Sequence, residues 1–198
     1  AIVDFLDGFV ARLFKATSEM GKQLDSLADV VSFGAAPGMI VYQFLRLSYA
    51  QQENGLYINV VWLLPAFIIP CAAAYRLARF NVDTEQSFGF KGVPTPAVGL
   101  LIASFPLIFW YENIAWFTTL LLNKWFLYGV IFIVCYLMLS TLPMMALKFK
   151  SISIKQVTPF IILVLIAVSS ALLFGWLAVP IIFLAYVLLS LLVKQPEQ

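Results

Sequence analysis

Between Lys155 and Lys194 the chain carries no charged side chain. A helix crossing a bilayer needs about 20 mostly apolar residues, so this run is too long for a single span. It predicts two short spans, 157–173 and 176–194, broken by a tight hairpin at Phe174-Gly175-Trp176. The same pattern recurs upstream and predicts spans over 27–49, 57–80, 94–113 and 124–146. Residues 1–16 read as the final turns of a further helix. The expected fold is an all-α polytopic transmembrane helical bundle, about six complete spans plus an N-terminal partial helix, forming one membrane domain over 1–198. Composition agrees: 63% of residues are hydrophobic and 11% charged, against roughly a quarter charged in a typical soluble domain. Pro65, Pro70 and Pro106 fall within spans and predict kinks. The opening Ala-Ile-Val has no methionine and already lies in an apolar segment. It suggests a chain that follows an upstream membrane segment.

Charge placement orients the bundle. Taking the loops alternately, with 12–25 on the cytoplasmic side, that side holds Arg12, Lys15, Lys22, Arg76, Arg79, Lys91, Lys148, Lys150, Lys155 and Lys194. The other side holds Arg46 and Lys124. A split of 10 against 2 is the asymmetry expected of cytoplasmic loops. Tyr49, Tyr57, Trp110, Tyr111, Trp116, Trp125 and Trp176 cluster near the opposite ends, as an interfacial aromatic belt would. Lys148, Lys150 and Lys155 form a basic loop suited to anionic lipid heads.

Histidine is absent, which removes histidine bases, Ser-His-Asp triads and histidine metal sites. Cys71 and Cys135 sit far apart in apolar runs, without the spacing of a metal or redox motif. Proton transfer and metal ligation therefore fall to carboxylates. Asp4 and Asp7 are three apart in an apolar helical stub and share a face that Ala11 continues. Asp25 and Asp29 are four apart on the next helix and share another, with Gly21 on the same stripe. Two antiparallel helices joined by a short turn would bring these faces together. Four acids in one site repel one another, and each is costly at membrane depth. A hard divalent cation, Mg²⁺ or Mn²⁺ and two ions rather than one, resolves both costs through all-oxygen ligation.

The string Asp4-x2-Asp7-Gly8-x2-Ala11-Arg12-x8-Gly21-x3-Asp25-x3-Asp29 fixes eight positions over 26 residues. At every one of them it resembles the signature of the CDP-alcohol phosphatidyltransferase family. The resemblance implies that Asp4, Asp7, Asp25 and Asp29 bind metal. It implies that the CDP-linked donor is held by Asp4, Asp7, Gly8, Ala11, Arg12, Gly21 and Asp25, with small Gly8 and Ala11 leaving room for cytidine. Asp29 would be the general base on the acceptor hydroxyl. Members of the family also carry an upstream helix with a Pro-Asn motif near the nucleotide. As structural alternatives, the glycines and Ala11 could serve close helix packing, and Arg12, Arg76 and Arg79 could be topological anchors.

Three further stretches bear on the acceptor alcohol: Val30-Val31-Ser32-Phe33-Gly34-Ala35-Ala36-Pro37, Arg76-Leu77-Ala78-Arg79-Phe80-Asn81, and Gly89-Phe90-Lys91-Gly92-Val93-Pro94-Thr95-Pro96-Ala97. Together they resemble the phosphatidylserine synthase branch of the family. That likeness implies transfer of the phosphatidyl group from CDP-diacylglycerol to L-serine with release of CMP, in a homodimer at the inner (cytoplasmic) membrane. A serine carboxylate needs a cation, and Lys22, Arg76, Arg79 and Asn81 are the candidates for acceptor or phosphate binding, with Lys91 nearby in sequence. Glycerol 3-phosphate, inositol or inositol phosphate are alternative acceptors. An ion-coupled transporter is the alternative from another class, although its acids would lie deeper than one membrane edge.

Overall fold

The computed structural model describes residues 18–51, 58–82, 90–112, 114–145 and 154–192. Asp4, Asp7, Gly8, Ala11 and Arg12 lie outside the described residues. Helix α1 spans Glu19–Val30. Ser18 caps it by accepting the Gly21 N–H at 3.0 Å, and Glu19 supplies the acidic first turn that the helix dipole favours. The helix starts well before residue 27 because a cap, and not hydropathy, sets its end.

A π turn, Val31–Ala35, joins α1 to α2, Ala36–Ala50. Pro37 brings no N–H and its ring crowds the preceding turn. Widening that turn, with Ala36 N–H reaching Val31 O, lets the helix continue through the proline. The combined stretch Glu19–Ala50 is 32 residues long. Two 3₁₀ turns, Val60–Trp62 and Leu64–Phe67, lead into α3, Ile68–Val82. Here α2 and α3 approach closely. A Cβ on Gly34 would meet the Ala73 Cβ at 3.0 Å, and one on Gly38 would meet Pro70 Cδ at 2.9 Å. Small residues at helix crossings permit this approach inside a membrane.

Helix α4 spans Thr95–Tyr111 with Pro106 inside it. A short helix α5, Ala115–Leu121, precedes α6, Lys124–Leu139, at a 72° bend. A search for 20-residue runs passes over a segment as short as α5. Helix α7, Ile154–Phe174, and α8, Ala178–Leu192, flank a 3₁₀ turn at Gly175–Leu177. Gly175 takes φ +52°, and α7 packs against α8. A break therefore falls at the expected Phe174-Gly175-Trp176, where the absent side chain admits the left-handed backbone. The Glu112 carboxylate accepts the Trp176 N–H at 2.7 Å and ties this turn to the end of α4.

By length and composition, Glu19–Ala50 and Thr158–Leu192 are long and apolar enough to cross a bilayer, and the bent pair α5–α6 makes a third if it is one span. Leu165, Leu172 and Phe132 are exposed large apolar side chains, as expected of a membrane protein whose outer face meets lipid. The core runs through Val41, Leu45, Ile69, Ile102, Leu127 and Met138. Two polar ties close its ends. At one, Tyr128 donates to Trp62 O at 2.7 Å and its hydroxyl lies 3.0 Å from that of Tyr49, with Lys124 4.8 Å above the Tyr49 ring. At the other, strands β1, Phe90–Lys91, and β2, Pro143–Met144, pair antiparallel, and Gly92 and Val93 donate to Leu142 O and Leu137 O at 2.9 and 3.0 Å.

Candidate active site

The second of these ends carries the acids. Asp25 and Asp29 stand one turn apart on α1, about 6 Å along its axis. Asp25 is exposed and Asp29 half-buried. Ser26, between them, donates to its own helix at Lys22 O, 3.1 Å away, and accepts the Asn81 side-chain N–H at 2.8 Å. The end of α3 is thereby fastened to α1 beside the acids. Asn81, a candidate for substrate contact, spends this N–H on the helix tie.

Arg76 lies one and a half turns earlier on α3. Its guanidinium donates from Nη2 to Gly92 O at 3.5 Å and lies within electrostatic range of Tyr186 of α8 and Asp29 of α1. Its Nε is buried and makes no hydrogen bond among the described residues. Gly92 can receive it because the backbone turns there at φ +76°, between the β1–β2 ladder and α4. Tyr186 donates to Met145 O at 3.4 Å, and Ser190 accepts the Met145 N–H at 3.3 Å. The loop after β2 is thus clasped by α8 on one side and paired to β1 on the other.

Of the other sequence candidates, Gly21 sits in the first turn of α1, where a Cβ would meet Ser18 Oγ at 3.2 Å. It keeps the stripe ahead of Asp25 bare. Lys22 is exposed on the same turn and Arg79 is half-buried on α3. The i, i+3 spacing of Arg76 and Arg79 puts both on the stretch of α3 that Asn81 fastens to α1. Ser26, Gly92, Tyr186 and Ser190 were not singled out from sequence. Tyr186 and Ser190 carried the one available signal: they are the polar side chains of an otherwise apolar helix, spaced i, i+4.

Two carboxylates on one helix face, beside a half-buried guanidinium, can hold cations and orient an anionic or zwitterionic ligand. Among the described residues no group of three or more acidic, histidine or cysteine side chains is placed to hold a metal ion. Asp25 and Asp29 offer the hard oxygen donors that suit Mg²⁺ or Mn²⁺, as part of a set larger than two. The model of the CDP-alcohol phosphatidyltransferase family matches residues 1–125, a stretch that takes in every acid of the motif. The chain belongs to this family.

Several curated relatives share the name CDP-diacylglycerol–serine O-phosphatidyltransferase. The Helicobacter pylori J99 protein is 40% identical over 103 residues, covering 51% of this chain and 40% of that protein. The Bacillus subtilis protein is 37% identical over 111 residues, covering 52% of this chain and 54% of that one. The Mycobacterium leprae protein is 29% identical over 193 residues, 94% of this chain and 60% of the relative. The chain therefore spans between two-fifths and three-fifths of the length of these relatives. Helices α7 and α8 fall beyond the residues that the family model matches.

Proposed function

We propose that this protein transfers a phosphatidyl group from CDP-diacylglycerol to L-serine, giving phosphatidylserine and CMP. The observation that carries the reading is the 2.8 Å bond from Asn81 to Ser26, which fastens the end of α3 that carries Arg76 to the Asp25–Asp29 stretch of α1. It supports a carboxylate base and a cation serving one site, in a family whose model matches every acid of the motif. Serine is favoured as acceptor by the names of the relatives above.

In this reaction the serine hydroxyl oxygen forms a bond to the phosphatidyl phosphorus and the bond to CMP breaks. The hydroxyl proton passes to Asp29, because an alcohol is a poor nucleophile until a positioned base takes its proton. Asp4, Asp7, Asp25 and Asp29 would hold two Mg²⁺ or Mn²⁺ ions, which would offset the negative charge of the diphosphate. Gly8, Ala11, Arg12 and Gly21 join the acids in seating the donor. Arg76 pairs with the serine carboxylate through donors it does not spend on Gly92, with Lys22 and Arg79 at the margin. The reading includes a bundle of six spans after an N-terminal partial helix, with the site at the cytoplasmic face of the inner membrane as the 10-against-2 split of basic residues favours, in a homodimer whose donor tails stay in the bilayer.

The test is a CMP-release assay on the full-length protein in lipid nanodiscs, offering serine, glycerol 3-phosphate, inositol and inositol phosphate in turn. Serine-dependent CMP and phosphatidylserine are expected. CMP release with glycerol 3-phosphate and none with serine would overturn the acceptor assignment. Uptake of a solute by vesicles with no CMP from any alcohol would overturn the reaction class.

A further inference from the structure

Helix α8 is apolar apart from Tyr186 and Ser190. Spaced i, i+4, these two share one face. Ser190 is 1% exposed, and Tyr186 is half-buried. Polar groups in a membrane helix are costly unless partnered, and they then mark the side that faces the bundle. Their partners are specific. Tyr186 donates to Met145 O and Ser190 accepts from Met145 N–H, so both polar groups of one loop residue are held by one face of α8.

Arg76 is therefore reached from α8 through the loop. The route runs from Met145, held by Tyr186 and Ser190, through β2, across the ladder to β1, and on to Gly92, whose carbonyl accepts from Arg76. A guanidinium has five N–H donors in a rigid fork. Its direction is set by whichever acceptors fix its edges, and Gly92 O fixes Nη2 here. A shift of the β1–β2 ladder that carries Gly92 therefore re-aims the fork.

We propose that Tyr186, supported by Ser190, is a positioning residue for Arg76, so that the last helix completes the acceptor-carboxylate subsite from outside the family-matched residues. This rests on the reading of Arg76 as the group that pairs with the serine carboxylate. Tyr186 does not touch substrate. It holds Met145, and through the ladder it holds the Gly92 carbonyl that sets the angle of the guanidinium fork.

The experiment uses the full-length protein in nanodiscs of phosphatidylglycerol and phosphatidylethanolamine, with serine and CDP-diacylglycerol titrated separately. Tyr186→Phe removes only the hydroxyl. It should raise KM for serine about fivefold to tenfold, the scale of one ordinary hydrogen bond. The kcat and the donor KM should stay within about a factor of two. Ser190→Ala should raise the same parameter by less, and Leu188→Ala, on the exposed face of α8, should leave all three unchanged. Thermal unfolding separates these effects from loss of fold. An unchanged serine KM in Tyr186→Phe, or equal rises for serine and donor, would overturn the role of α8. Arg76→Lys distinguishes the two layers. If it raises serine KM while Tyr186→Phe does not, only the role of α8 falls; if it leaves serine KM unchanged, the reading of Arg76 falls with it.

Discussion

Replacing Gly92 with alanine tests the link between the loop ladder and Arg76 most directly. At φ +76° the backbone is left-handed, which costs an L-residue roughly 1–2 kcal/mol. The new Cβ would lie 2.7 Å from both Met138 O and Ser140 O. These are backbone atoms at the end of α6 and cannot rotate aside. Relief requires residue 92 to retreat by about 0.5 Å, toward the separations that real Cβ contacts show. The Arg76 Nη2 contact with Gly92 O is already 3.5 Å, the outer limit of a hydrogen bond, so a shift of that size breaks it. We expect Gly92→Ala to lower stability by about 2–3 kcal/mol, combining the backbone cost with part of a charge-assisted hydrogen bond. Serine KM should rise about tenfold while donor KM changes little. Thermal unfolding in nanodiscs and CMP release at graded serine concentrations measure the two effects. A variant with the parent's stability and serine KM would refute both the strained turn and its link to Arg76.

Other perturbations separate chemistry from scaffolding. Asp29→Asn should abolish CMP release while leaving expression, oligomeric state and unfolding temperature near those of the parent, whereas residual turnover above about a tenth would remove Asp29 as the base. Ser26→Ala and Asn81→Ala, singly and together, should show a coupling of about 0.5–1 kcal/mol in unfolding free energy, the usual scale for hydrogen bonds between membrane helices; additive effects would mean that the 2.8 Å contact contributes nothing. Glu112→Ala should cost about 1–2 kcal/mol by releasing the Trp176 N–H at the far end, with kinetic constants unchanged because the site lies at the opposite end of α4.

The helical framework could be read from hydropathy because spans of apolar residues have few alternatives in lipid. Its edges could not. α1 begins at a Ser18 cap within a polar stretch, and α5 is too short for a span search to register. The π turn before Pro37 needs knowledge of the proline's neighbours on α3. For the site, Asp25 and Asp29 announced themselves by spacing, and Arg76 by its position at the end of a span. The bond of Asn81 to Ser26, 55 positions away in sequence, had no signal of its own. Tyr186 and Ser190 stayed hidden because their meaning depends on a loop residue and an arginine more than a hundred positions earlier. No local pattern carries that information.

This division has a physical basis in how the two ends of the bundle are closed. Donor-facing acids can be encoded by periodicity alone, since neighbouring positions on one helix face are fixed by 3.6 residues per turn. An acceptor subsite needs a cation aimed from a different helix, and aim is a tertiary property. In the proposed subsite it would depend on α1, α3, the β1–β2 ladder and α8 at once. A motif can therefore persist on α1 while acceptor preference shifts through residues that alter only the pose of Arg76. If the proposed subsite is right, the loops around Gly92 and Met145, and the polar face of α8, are where variants that accept a different alcohol should arise. Substitutions in the aspartate motif should instead abolish transfer to every acceptor alike.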